Sequence, residues 1–277
     1  MSSSNETLPV SLRELLAFYA EAGVDEALEE LPIDRFASPA ATPQGVQAPA
    51  TPPAPVVHPS ATSQPPRQTN VTIPDEAQAA VAREAAVSAA TLEELRAIME
   101  RFDGCNLKST AKQLVFADGN PEADLMLVGE APGRDEDIEG RPFVGRSGQL
   151  LDRILAAIGR DRTSVYIANV IPWRPPGNRT PTPHETEICR PFIERQVELV
   201  APKILVTLGA PSARTLLHAS DGILRLRGNW QTHETLTGLS IPAMPTLHPA
   251  YLLRNPAHKK LAWRDFLAVK MRLEAKA

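Results

Sequence analysis

The chain has 277 residues, a net charge of −4 and only two cysteines, so one or two domains are expected, and a disulfide framework is excluded. No run of about 18 apolar residues occurs, so no membrane-spanning helix is expected, and Met1-Ser2-Ser3-Ser4-Asn5-Glu6 lacks the basic start and apolar stretch of a signal peptide; a cytoplasmic setting is the expectation. Charge is uneven: residues 1–100 carry 14 acidic and 5 basic side chains, residues 101–277 carry 19 and 24, and a basic module suits a polyanionic partner.

Residues 11–31 have helical spacing, with Ser11 placed to cap and Leu12, Leu15, Leu16, Tyr19 and Val24 recurring on one face. Such a helix either packs on the main domain or docks on a protein partner. Between Ser38 and Asn70 the chain is mostly Pro, Ala, Thr, Gln and Ser, with nine prolines. That composition buries too little apolar surface to fold and predicts a disordered linker. The expected organisation is a short helical segment at 1–36, a Pro/Ala-rich linker at 37–73, and one folded domain at 74–277. A helix from Asp75 to Phe102 leads that domain, with Leu92, Leu95, Ile98 and Met99 on one face.

Four apolar runs then read as strands: 124–128, 165–168, 204–208 and 243–247. Helical patterns lie between and after them, at 147–159 (with Ser147 as a cap), 183–200, 210–218 and 258–274. Alternating strands and helices predict an α/β, three-layer α/β/α domain around a mostly parallel four-stranded sheet. Continuous apolar strands fit burial on both faces.

Chemistry-bearing residues recur just past these strands, where an open parallel sheet gathers its ligands. The first strand is followed by Gly129-Glu130-Ala131-Pro132-Gly133 and the acids Asp135, Glu136 and Asp137, then by Pro142-Phe143-Val144-Gly145. The second is followed by Asn169 and by Arg174-Pro175-Pro176-Gly177-Asn178-Arg179. Gly209 opens a helix after the third. His248-Pro249 and Tyr251-Leu252-Leu253-Arg254 follow the fourth. These motifs, in this order over residues 101–274, resemble the family 4 uracil-DNA glycosylases.

The resemblance implies a DNA repair enzyme that flips a deoxyuridine out of single- or double-stranded DNA and hydrolyses its N-glycosidic bond without a metal in the reaction. Phe143 would stack on the base, and the Asn169 carboxamide would read its Watson–Crick edge; Gly129 and Ala131 would line the same site. His248 would donate to the departing uracil, while Glu130, Glu136 or Asp137 would orient water and stabilise positive charge on the sugar; the split among the three acids stays open. Arg174, Asn178, Arg179 and Arg254 would hold phosphates. His184, His218, His233 and His258 have no motif and are expected at the surface. A monomer is expected. The alternative is a catalytically weak module of the same fold that binds damaged or single-stranded DNA.

One departure stands out. The family carries four cysteines that hold a 4Fe–4S cluster. Here Cys105 and Cys189 match two of the positions, while Phe102 and Trp173 stand at the other two. The expectation is a protein without the cluster, with two aromatic rings filling the vacated volume.

Overall fold

A computed structural model describes residues 75–275. The expected helix at 11–31, the linker at 37–73 and any docking role for them lie outside the described residues. Among the described residues no helix is long and apolar enough to cross a membrane.

The sheet is built from β1 (Asp118–Gly119), β2 (Leu125–Gly129), β3 (Tyr166–Asn169), β4 (Ile204–Leu208), β5 (Gln231–Glu234) and β6 (Ser240–Thr246), in the order β1-β3-β2-β4-β6-β5. The four central strands are parallel, in line with the expected core. The two edge strands are antiparallel additions that extend the sheet to six. They escaped the sequence pattern because β1 has two residues and β5 is Gln-Thr-His-Glu, with no apolar run.

Successive side chains on a strand point to opposite faces, and here both faces are covered. Met126, Val128, Ala168, Leu205 and Ala243 point to one layer, packed against α1 (Asp75–Ser88), α2 (Leu92–Arg101), α3 (Leu107–Thr110) and α6 (Pro183–Val200). Leu125, Leu127, Ile167, Val206 and Met244 point to the other, against α5 (Arg146–Ala157) and α10 (Lys259–Glu274). The remaining helices are α4 (Arg134–Glu139), α7 (Ala210–Leu217), α8 (Ile223–Leu226) and α9 (Pro249–Arg254).

Four expectations are corrected. The leading helix is two helices, because Thr91 breaks the run and caps α2 by accepting from Glu94 N at 3.2 Å. The acids 135–137 sit not in a loop but in the first turn of α4, where they favour the positive end of the helix dipole. Helix α5 is capped at Gly145 rather than Ser147. His233 is also not a surface group: it is buried, with Nδ1 2.7 Å from Leu216 O.

Phe102 and Trp173 enter the first core layer. Their rings stack at 6.5 Å between centroids, and Phe192 meets Phe102 edge-on at 5.0 Å. Trp173 is 1% exposed. Trp173→Ala is therefore expected to cost about 3–5 kcal/mol of stability, read by urea unfolding. A cost below about 1 kcal/mol would mean that this ring is not part of the packed core.

Candidate functional site

Parallel strands β2, β3, β4 and β6 all end at one edge of the sheet, and a cavity of about 590 Å³ opens there. Glu130, Ala131, Glu136, Phe143, Asn169 and His248, drawn from three separate strand ends, all line it. The sequence placed these residues together by motif alone; the fold brings them into one hollow.

Its floor is set by close approach. Gly129 ends β2 and pairs in register with Asn169 at the end of β3. A Cβ on Gly129 would lie 2.5 Å from Asn169 Oδ1 and 2.6 Å from Phe143 Cζ, so only glycine leaves room for both side chains. Gly129 thus lies beneath the site rather than in its wall. Asn169 is 5% exposed, and its Oδ1 is buried without a hydrogen-bond partner. An unpaired buried amide oxygen is costly and calls for a functional reason.

Phe143 adopts φ +55°, a left-handed conformation that costs a non-glycine residue about 1–2 kcal/mol. Its ring lies 5.5 Å from the His248 imidazole, centroid to centroid. His248 caps α9: its Nδ1 accepts from Ala250 N at 3.1 Å. Burial, reinforced by the nearby Arg254 charge, lowers its pKa to about 4. The imidazole is therefore neutral at pH 7, and with Nδ1 accepting, its proton is on Nε2. Burial raises the Glu130 carboxyl above its ordinary range, and the charge of Arg214 on α7 pulls it partly back. No motif pointed to Arg214.

The other expected acids are structurally engaged. Glu136 Oε2 accepts from Gly133 N, and its Oε1 accepts from both Val144 N and Gly145 N, each at 3.0 Å. It lines the cavity while tying two loops together. Asp137 does not line the cavity; it is 2% exposed, accepts from Lys112 N at 2.8 Å and lies 3.8 Å from Arg174. Acidic side chains three in a row on a helix point in different directions, which spacing along a loop does not reveal.

The expected phosphate-binding residues also divide. Arg174 lies outside the cavity and donates to Asn178 Oδ1 at 2.7 Å. Arg179 reaches the cavity wall, but its guanidinium is paired at both nitrogens with Glu185, the buried capping-box acid of α6. Asn178 and Arg254 line the rim, and Arg254 is exposed with no carboxylate partner among the described residues. Tyr251 was missed by motif reading as a site residue; it also lines the cavity, and its hydroxyl lies 2.7 Å from His258 Nδ1.

Outside the cavity lining, the Cys105 and Cys189 sulfurs are 3.8 Å apart in the core. Their hydrogen bond and burial hold the Cys189 thiol well above its ordinary range. Among the described residues no group of three or more His, Cys, Asp or Glu could hold a metal ion. A four-thiolate cluster therefore does not fit: two sulfurs are present, and rings occupy the other two positions.

The folded domain is similar to known proteins. Residues 116–267 match the model of the uracil DNA glycosylase superfamily. The type-4 uracil-DNA glycosylase of Saccharolobus solfataricus is 41% identical over 177 residues, covering 62% of this chain and 82% of that one. The type-4 uracil-DNA glycosylase of Thermotoga maritima is 40% identical, covering 61% and 88%. That of Archaeoglobus fulgidus is 40% identical, covering 58% and 83%.

The half-buried, neutral imidazole makes stability depend on pH. An unfolded His248 titrates near 6.5 and the folded one near 4, so between these values the unfolded state binds more protons. Stability falls as pH drops from 6.5 toward 4 and this contribution is flat below. His248→Gln is expected to remove about 3 kcal/mol of that slope, measured by urea unfolding at pH 7 and pH 4. Identical slopes in the two proteins would show that His248 is not held neutral.

Proposed function

The chain belongs to the uracil-DNA glycosylase superfamily, and we propose that it is a DNA repair hydrolase that excises uracil. It would take a flipped deoxyuridine into the cavity, hydrolyse the N-glycosidic bond and leave an abasic site. The observation that carries this reading is the unpaired Asn169 carboxamide facing a cavity shared with an aromatic ring, a carboxylate and a neutral imidazole.

Each group has a physical task. The Asn169 carboxamide offers an acceptor for uracil N3–H and a donor for O4, and substrate supplies the partner that its oxygen lacks. Phe143 supplies a flat apolar face for stacking. As the C1′–N1 bond breaks, its electron pair moves into the uracil ring and charge builds on O2. The Nε2–H of neutral His248 donates to that oxygen without bringing a competing positive charge, a contribution on the order of 3 kcal/mol. Glu130 orients the water whose oxygen forms the new bond to C1′ and accepts the proton that water sheds, which ends on the departing uracil anion; its charge also stabilises the cationic sugar.

We assign Glu136 and Asp137 anchoring rather than catalytic roles, because their oxygens already serve backbone N–H groups of neighbouring loops. Arg254 and Asn178 at the rim are the phosphate contacts this geometry supports best. Arg179 and Arg174 hold the wall in place through Glu185, Asn178 and Asp137. DNA binding then weakens with added salt. We further propose that the enzyme acts as a monomer, and that residues 1–73 tether it to a protein partner without entering the reaction. The cluster is absent in this reading, its place held by Phe102 and Trp173.

Two measurements test this. Purified protein should release free uracil from a uracil-containing oligonucleotide, and Asn169→Ala should lower kcat/KM by roughly 10- to 100-fold. Binding of such DNA without any base release would favour the weak binding module instead. Purified protein should contain no iron or sulfide and show no absorbance band near 400 nm; stoichiometric iron would refute the cluster-free reading.

A further inference from the structure

One partly buried cation remains unexplained by the chemistry above. Arg162 lies between α5 and β3, and its guanidinium uses every edge. Nε donates to Asp152 at 2.8 Å, and Nη1 donates to Asp118 at 2.6 Å and to Pro142 O at 3.1 Å. Nη2 donates to Phe143 O. The two carboxylates, on β1 and α5, fix the fork; the two carbonyls belong to the turn that carries the stacking ring.

That turn needs holding. Phe143 at φ +55° relaxes toward negative φ unless its neighbours prevent it. Arg162 grips the carbonyl side of the turn, and Glu136 grips the amide side through Val144 N and Gly145 N. Gly148 completes the clamp: a Cβ there would lie 1.6 Å from Phe143 O, so α5 packs directly on that carbonyl. Release on the carbonyl side frees the peptide to rotate, and the ring leaves its position over Gly129 and beside His248. Lysine cannot replace the fork, because a single ammonium does not reach four acceptors in different directions.

We propose that Arg162 is a positioning residue for the flipped base: it locks the left-handed turn at Phe143 and so sets the ring on which the pyrimidine stacks. This rests on the function proposed above. Its effect is exerted through Phe143 and through no contact with DNA or the sugar.

The test is a double-mutant cycle on uracil release, with thermal melts recorded for each variant. Arg162→Lys is expected to raise KM for a uracil oligonucleotide by roughly 10-fold or more, since a misplaced stacking group costs up to about 100-fold. In a Phe143→Ala background the same substitution is expected to change activity by less than about 2-fold, because the ring it positions is gone. Asp118→Asn combined with Asp152→Asn loosens the guanidinium without removing it. It is expected to show a smaller loss that also vanishes in the Phe143→Ala background. Losses that add fully across both cycles, or an Arg162→Lys enzyme with unchanged KM, would overturn the proposal while leaving uracil excision intact. A wild-type chain that releases no uracil overturns the reading of the site itself.

Discussion

The space at Gly129 holds a hydrogen and nothing larger, and the site is assembled around that limit. Because β2 ends on a residue without a Cβ, the Asn169 amide from β3 and the Phe143 ring from the following loop close over the same point. A methyl group there would push apart the Asn169 amide and the Phe143 ring. The parallel sheet supplies the rest: with both faces buried, the strand ends are where the sheet can meet a ligand.

Electrostatics then separates the groups facing the cavity from those that support its walls. The cavity keeps one carboxylate, Glu130, without a hydrogen-bonding protein partner among the described residues, and one imidazole whose single proton is directed by a backbone N–H at its other nitrogen. The remaining charges are compensated nearby. Glu136 is satisfied by three backbone amides, Arg179 by Glu185, and Arg162 by Asp118 and Asp152. Charges paired in this way fix loop geometry, and the unpaired Arg254 at the rim is left to meet an anion.

The four parallel strands were legible because each is a continuous apolar run, and α6 matches its helical pattern at 183–200, with Thr182 and Glu185 forming a capping box at its start. The edge strands were not, since β1 is too short and β5 too polar for any periodic signal. Glu130, Phe143, Asn169 and His248 could be picked out by motif, because each sits immediately beyond a strand or at a fixed offset from one. What motif reading could not separate was reach from duty. Arg179 and Arg254 are both cations in site loops, yet a buried acid six residues after Arg179 takes up its charge. Arg162 and Arg214 carried no signal at all, because their partners lie far away in sequence or act only through space.

The aromatic substitutions gain meaning from their position in the chain. Trp173 lies four residues beyond Asn169, and the intervening segment is buried and tied down by Pro172 O, which accepts from Val115 N at 2.9 Å. Ile171 N also donates to Glu130 O at 2.9 Å. The segment that leaves Asn169 is therefore anchored at one end by the sheet and at the other by the Phe102–Trp173–Phe192 packing. The rings hold that end by burial and dispersion. That anchor lies in the core and not in the cavity, so it fixes the end of β3 without occupying the space that Glu130, Phe143 and His248 line.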